Sequence, residues 1–170
     1  LSALSGSSIN LALPDLGQDL QISLTMSRWV LQAFLLAVAI TLPLAGRASD
    51  ALGHARVYLA GFALFALMSL ACGLAQRIEL LVAGRALQGV GGAMVMATGP
   101  ALLTTTFPAQ QRGRVLGFIS TATYLGLTIG PTVGGLIVGA GGWRWTFLFN
   151  VPLSAVVLLL GLRHLPRPVG

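Results

Sequence analysis

The chain has 170 residues, of which 55% are hydrophobic and 8% charged, and its mean hydropathy is +0.86. A water-soluble domain carries about 25% charged residues, so the composition excludes a soluble globule and places the chain in lipid. The net charge of +6 comes from arginine alone, and the arginines punctuate apolar runs instead of forming one patch; this excludes a nucleic-acid surface and reads as a membrane-topology signal.

The first element runs from Leu1 to Leu13 and is expected to end at Pro14. It begins apolar at Leu1, without a charged leader region or a cleavage site, so it reads as the outer end of a helix whose beginning is missing. A helix needs about 20 apolar residues to cross the hydrocarbon core. Charge-poor runs of that order give further spans at 29–46, 57–75, 80–107, 115–140 and 145–162. The expected fold is therefore all-α: a polytopic transmembrane bundle of six spans, with 1–13 incomplete. The 22 glycines show no repeat period, and inside long apolar runs they suit close helix approach. The single Cys72 lies in an apolar run and offers neither a disulfide framework nor a metal cluster.

The connections are short, so successive loops alternate sides. One set holds Arg47, Arg56, Arg112, Arg114, Arg163 and Arg167. The other holds Arg28, Arg77 and Arg144 with Asp15, Asp19 and Glu79. The positive-inside rule assigns the first set to the cytoplasm. Two groups of three helices would be the pattern of an inverted repeat, although no internal sequence repeat is visible.

Four segments stand out. In the tight turn from Gly46 to Arg56, Gly46 and Gly53 allow a sharp reversal, and Asp50 lies between Arg47 and Arg56. Asp50 is placed to accept charge-assisted bonds or to face a helix N-terminus; alternatively the loop is a solvated turn that only sets topology. Arg85, Gln88, Gly89 and Gly92 share one helical face, and Arg85 is the sole charge inside a span. A central arginine costs about 2.5–3.5 kcal/mol on insertion scales, so it is expected to face a wet cavity or a partner, the alternative being outward snorkelling near Glu79. Gly126, Gly130 and Gly134 form a bare stripe around Pro131, with Gly135 adjoining. The stripe suits tight packing and a bend. Finally, Trp143-Arg144-Trp145 precedes Asn150-Val151-Pro152; the tryptophans read as an interface anchor, and Asn150 is unusual in an apolar run. No nucleophile–base set, phosphate loop or zinc motif occurs, so no enzyme activity, metal or cofactor is expected. His54 and His164 read as loop surface residues.

Together these segments resemble the major facilitator superfamily, in its fourteen-span drug–proton antiporter branch. Gly46 to Arg56 looks like the signature between helices two and three. Arg85-Ala86-Leu87-Gln88-Gly89-Val90-Gly91-Gly92-Ala93 looks like the helix-four motif, and Gly126 to Gly135 the helix-five antiporter motif. Ile9-Asn10-Leu11-Ala12-Leu13-Pro14 resembles the end of helix one, and Trp145, Asn150 and Pro152 the start of helix six. The resemblance covers nearly the whole chain and implies the first six-helix half of a transporter that rocks around a central site, with the C-terminal half missing. It implies that Asp50 with Arg47 and Arg56 stabilises one end state at the cytoplasmic side. It links Arg85, with Gln88 and Asn10, to proton movement and the cavity, and it makes the Gly126–Gly135 helix a bundle-interface mark of exporters. Two departures stand out: Ser5 replaces the helix-one aspartate, and His54-Ala55 replaces a basic pair.

The function expected from the resemblance is proton-driven export of small amphipathic compounds across a bacterial inner membrane, with substrate, protons and lipid as partners. A facilitator or importer of one metabolite is the alternative, and a non-transporting membrane sensor or scaffold is a third.

Overall fold

A computed structural model describes residues 12–164, and every element among them is helical. Helix α1 occupies 12–19, followed by α2 (Leu24–Leu52), α3 (His54–Gly73), α4 (Ile78–Thr106), α5 (Ala109–Gly141), α6 (Arg144–Leu148) and α7 (Asn150–His164). Among the described residues, five stretches are long and apolar enough to cross a membrane, with 144–163 taken as one; most of the expected span 1–13 lies outside the described residues. The outward faces carry exposed Leu35, Leu36, Ile40, Leu44, Leu159 and Leu160, the arrangement a lipid solvent favours.

The helices outrun the apolar segments that announce them. Helix α1 does not stop at Pro14; it continues to residue 19. Proline removes only its own N–H and strains one carbonyl, which a membrane bundle tolerates. The chain then reverses through Gln21, at φ 52, and Ser23 caps α2 by accepting a hydrogen bond from the Met26 amide at 3.3 Å. The expected polar turn from Arg47 to Arg56 is also largely helical. Helix α2 continues through it to Leu52, and α3 begins at His54. The joint is Gly53 alone, at φ +92, a backbone that L side chains rarely adopt. Similarly, Arg112 and Arg114 lie inside α5, which starts directly after Pro108.

The last expected span is broken after Leu148. The break falls four residues before Pro152, which lacks the N–H that would bond the Leu148 carbonyl and crowds that carbonyl. Pro43, Pro100 and Pro131, by contrast, stay inside continuous helices.

Helix α4 is the centre of the bundle, packed along its length between α2 and α3, while α3 also meets α6 and α7. Glycines set these crossings. A Cβ on Gly91 would lie 2.8 Å from the carbonyl oxygen of Gly61, and one on Gly61 would lie 2.9 Å from that of Gly91, so α3 and α4 touch backbone to backbone. Gly89 admits the carbonyl of Phe34 from α2 in the same way. The main apolar cluster joins Ala12, Leu16, Val30, Cys72, Leu81, Trp143 and Phe147, at the end of the bundle opposite the α2–α3 joint.

Candidate functional site

Arg85 is the buried arginine among the described residues, with no accessible surface. It does not snorkel. Its position on α4 aims it across the bundle, where its Nε donates to the backbone carbonyl of Val30 on α2 at 3.1 Å. Its Nη1 donates to Oε1 of Gln88, one turn further along α4, at 2.7 Å. Gln88 then uses its amide Nε2 to donate to Oγ of Ser69 on α3. The guanidinium carbon stands 4.3 Å from the ring centroid of Phe34 and 5.6 Å from that of Phe147, within the range of cation–π attraction. One buried polar chain thus ties α2, α4 and α3, with α6 closing the aromatic cage. Among the described residues, Nη2 is buried without a hydrogen-bond partner.

The face expected to meet a wet cavity or a partner is covered by α2 in this structure. Arg85, Gln88, Gly89 and Gly92 do share it. The absence of a Cβ at Gly89 lets the α2 backbone approach, and a Cβ on Gly92 would meet the Phe34 ring at 3.4 Å.

At the end opposite the α2–α3 joint, three connections meet. Asp19, closing α1, accepts hydrogen bonds at Oδ2 from Trp143 Nε1 at 3.0 Å and from Arg144 Nη1. Arg144 Nη2 also donates to the carbonyl of Ala75 in the α3–α4 turn at 3.4 Å. The indole of Trp143, then the guanidinium of Arg144, hold the Asp19 carboxyl below the usual carboxylate range. A cleft of about 580 Å³ opens here between Asp15, Gln18, Asp19, Gly141, Gly142, Trp143 and Arg144.

The sequence profile of the Major Facilitator Superfamily matches residues 1–170. The chain belongs to the major facilitator superfamily. It is 33% identical, over 99% of its length, to the riboflavin transporter RibZ of Clostridioides difficile. It is 39% identical over 91% to the multidrug resistance protein Stp of Mycobacterium tuberculosis, and 37% identical over 92% to the methylenomycin A resistance protein of Streptomyces coelicolor. The chain spans 37%, 29% and 33% of these relatives, about a third of each.

In this major facilitator chain the remaining candidate residues fall into separate places. Asn10 and Ser5 lie outside the described residues. At the α2–α3 joint, Arg47, Asp50 and Arg56 are exposed, and the ion pair found among the described residues is Arg144–Asp19, not one to Asp50. The bonds there are made by neighbours: Ser49 Oγ donates to the Gly46 carbonyl at 2.7 Å and lies 3.1 Å from His54 Nδ1. His54, expected as a plain surface residue, thus spans the Gly53 joint. In α5, Gly130 and Gly134 are buried and Gly126 partly so, while Pro131 and Gly135 are exposed.

In the helix-six segment, Trp145 and Pro152 are exposed and Asn150 is buried, its Nδ2 donating to the Thr146 carbonyl at 3.0 Å across the break. The tryptophan built into the bundle is Trp143, whose ring meets Phe147 edge-on at 6.1 Å. Sequence reasoning passed over Ser69, Phe34, Phe147 and the Val30 carbonyl. Only their spacing on apolar helices marks them, and that spacing is shared with ordinary packing residues.

Proposed function

We propose that the whole protein is a secondary transporter that exports small amphipathic compounds across the bacterial plasma membrane, exchanging them for protons by alternating access. The observation carrying this reading is the buried Arg85–Gln88–Ser69 chain, on a bundle whose relatives are named for multidrug and methylenomycin A resistance. A charged group tied into three helices makes the bundle move as one body, and alternating access needs such a body. The exposed Asp50 with Arg47 and Arg56 is then a cytoplasmic contact for the rest of the chain. The Gly126, Gly130, Pro131, Gly134 and Gly135 helix provides a surface on which the two halves turn. Trp145, Asn150 and Pro152 mark the bent start of the last span. The acidic residues Asp15, Asp19, Asp50 and Glu79 all fall outside the long apolar runs of this chain, and the proton carrier is assigned to the rest of the protein.

The test is efflux of ethidium and of amphipathic antibiotics from cells expressing the full-length gene, with and without a protonophore. Efflux above the vector control that stops when the gradient collapses is expected. Efflux that persists unchanged removes the proton-coupled reading. A second reading, a carrier for one metabolite, is favoured by the likeness to a riboflavin transporter and by Ser5 in place of an acid. It predicts saturable flux of that metabolite with little drug efflux.

A further inference from the structure

At the α2–α3 joint the geometry fixes where a histidine carries its proton. Ser49, in the last turn of α2, is buried, so water does not compete for its hydroxyl. A hydroxyl has one proton to give. The Gly46 carbonyl, 2.7 Å away, has none, so Ser49 Oγ spends its proton there. The 3.1 Å contact from Ser49 Oγ to His54 Nδ1 is then a bond in which Nδ1 donates. The reverse assignment would leave two bare lone pairs facing each other at the shorter contact, in a buried place. Nδ1–H exists both in this neutral tautomer and in the imidazolium, so only Nε2 gains or loses a proton. The bond therefore survives a change of charge. It ties the first residue of α3 to the last turn of α2 across Gly53, at φ +92.

The charged groups of the joint itself are Arg47 and Asp50 of α2 and Arg56 of α3, all exposed and, among the described residues, in no ion pair. Helix α4 packs on both α2 and α3, but its charges, Glu79 and Arg85, lie in its opposite half. Helix α7 packs on α3 and carries exposed Arg163 in its last turn. Asp15, Asp19 and Arg144 lie at the other end of the bundle. Two arginines and one aspartate give the joint a net charge of +1, which a protonated His54 raises to +2. We infer that His54 is a pH-responsive charge held in a fixed place, keeping its Nδ1 proton on Ser49 and titrating at Nε2 alone. Imidazole is the side chain that ordinarily changes charge between about pH 5 and 8. The inference rests on the transport reading above, in which this joint is a contact for the rest of the chain, and adds control of that contact by pH. A partly exposed charge pair shifts an equilibrium by up to about fivefold, which sets the size of the effect.

The experiment takes the full-length protein, isotopically labelled at the histidine ring nitrogens, in detergent micelles. Subtracting the nitrogen spectrum of His54→Asn isolates one ring. From about pH 8 to 5, Nδ1 is expected to stay at a protonated shift while Nε2 moves from an unprotonated to a protonated one. Ser49→Ala removes the acceptor and is expected to release the Nδ1–H preference. In proteoliposomes at equal pH on both sides, ethidium flux through the unaltered protein is compared with flux through His54→Asn, whose amide can keep the bond to Ser49 but does not titrate. The ratio of the two is expected to change by about two- to fivefold across the same pH range. A neutral ring with its proton on Nε2 overturns the inference, as does an Nε2 that does not titrate or a flux ratio that stays constant. If Ser49→Ala does not fold, the spectra of the unaltered protein decide; if His54→Asn does not fold, His54→Arg serves as the non-titrating reference. If ethidium does not move in either protein, the transport reading fails for that compound, and the tautomer and the site of protonation decide the inference by themselves.

Discussion

Placing a methyl group at Gly91 tests the account of how α4 is held. The new Cβ would lie 2.8 Å from both the Gly61 carbonyl oxygen and the Phe65 amide nitrogen, whereas ordinary contact begins at 3.4 Å. The shortfall is roughly 0.6 Å, and the opposing atoms are backbone, so no side chain can turn aside. Either α3 and α4 separate along a shared face or the helices distort, and overpacking of this kind costs about 1–3 kcal/mol. Alanine also gains up to about 1 kcal/mol over glycine in helix propensity, which masks part of that cost. Gly99→Ala provides the correction: it lies in the same helix with nothing within 4 Å of its Cβ. The difference between the two variants therefore isolates the clash. Reversible unfolding of the full-length protein in mixed micelles, followed by tryptophan fluorescence, should place Gly91→Ala about 1–3 kcal/mol below Gly99→Ala. Equal stabilities, within about 0.5 kcal/mol, would refute the backbone contact between α3 and α4.

Three further outcomes follow from the geometry. Ser69→Ala removes the acceptor of the Gln88 amide and should cost about 0.5–2 kcal/mol, the range of interhelical hydrogen bonds in membranes, read in the same unfolding assay. Asp19→Asn should destabilise by at most about 1 kcal/mol, because the pair is partly exposed. The folded Asp19 pKa is depressed, so its contribution is complete above the unfolded value near 3.9 and is lost as pH falls through the lower folded value; unfolding temperatures of the two proteins should converge below about pH 4. Cysteines introduced at Asp50 and at Asp15 should label from opposite sides of intact cells with a membrane-impermeant maleimide, Asp15 from outside. Labelling of both from one side would overturn the arginine-based orientation.

Much of this architecture is legible in one dimension. Charge-poor runs near 20 residues find the membrane helices because a charged side chain in hydrocarbon carries a large desolvation cost that an apolar run avoids. Their limits are less legible, and for a specific reason. Hydropathy registers where the chain leaves lipid, but a helix ends where its backbone can no longer continue. Arg47 and Asp50 mark the first boundary and Gly53 the second, with a helical stretch of polar residues between them. The same difference carries α1 past Pro14 and puts Arg112 inside α5. Pro152 is visible in the sequence, yet Pro43, Pro100 and Pro131 are visible too and leave their helices unbroken; only the packing around each decides.

The sequence alone determined that the chain lives in lipid, that it forms several helices, that it resembles the major facilitator superfamily, and that Arg85 shares a face with Gln88 and Gly89. These are properties of composition and of a period of 3.6 residues, which depend on near neighbours. Tertiary structure decided what that face meets. Val30, Phe34, Ser69 and Phe147 reach Arg85 and Gln88 from three other helices, and Trp143 with Arg144 reaches Asp19 across more than a hundred residues of chain. Such contacts depend on how far glycine lets two backbones approach, a distance that no local pattern of residues encodes.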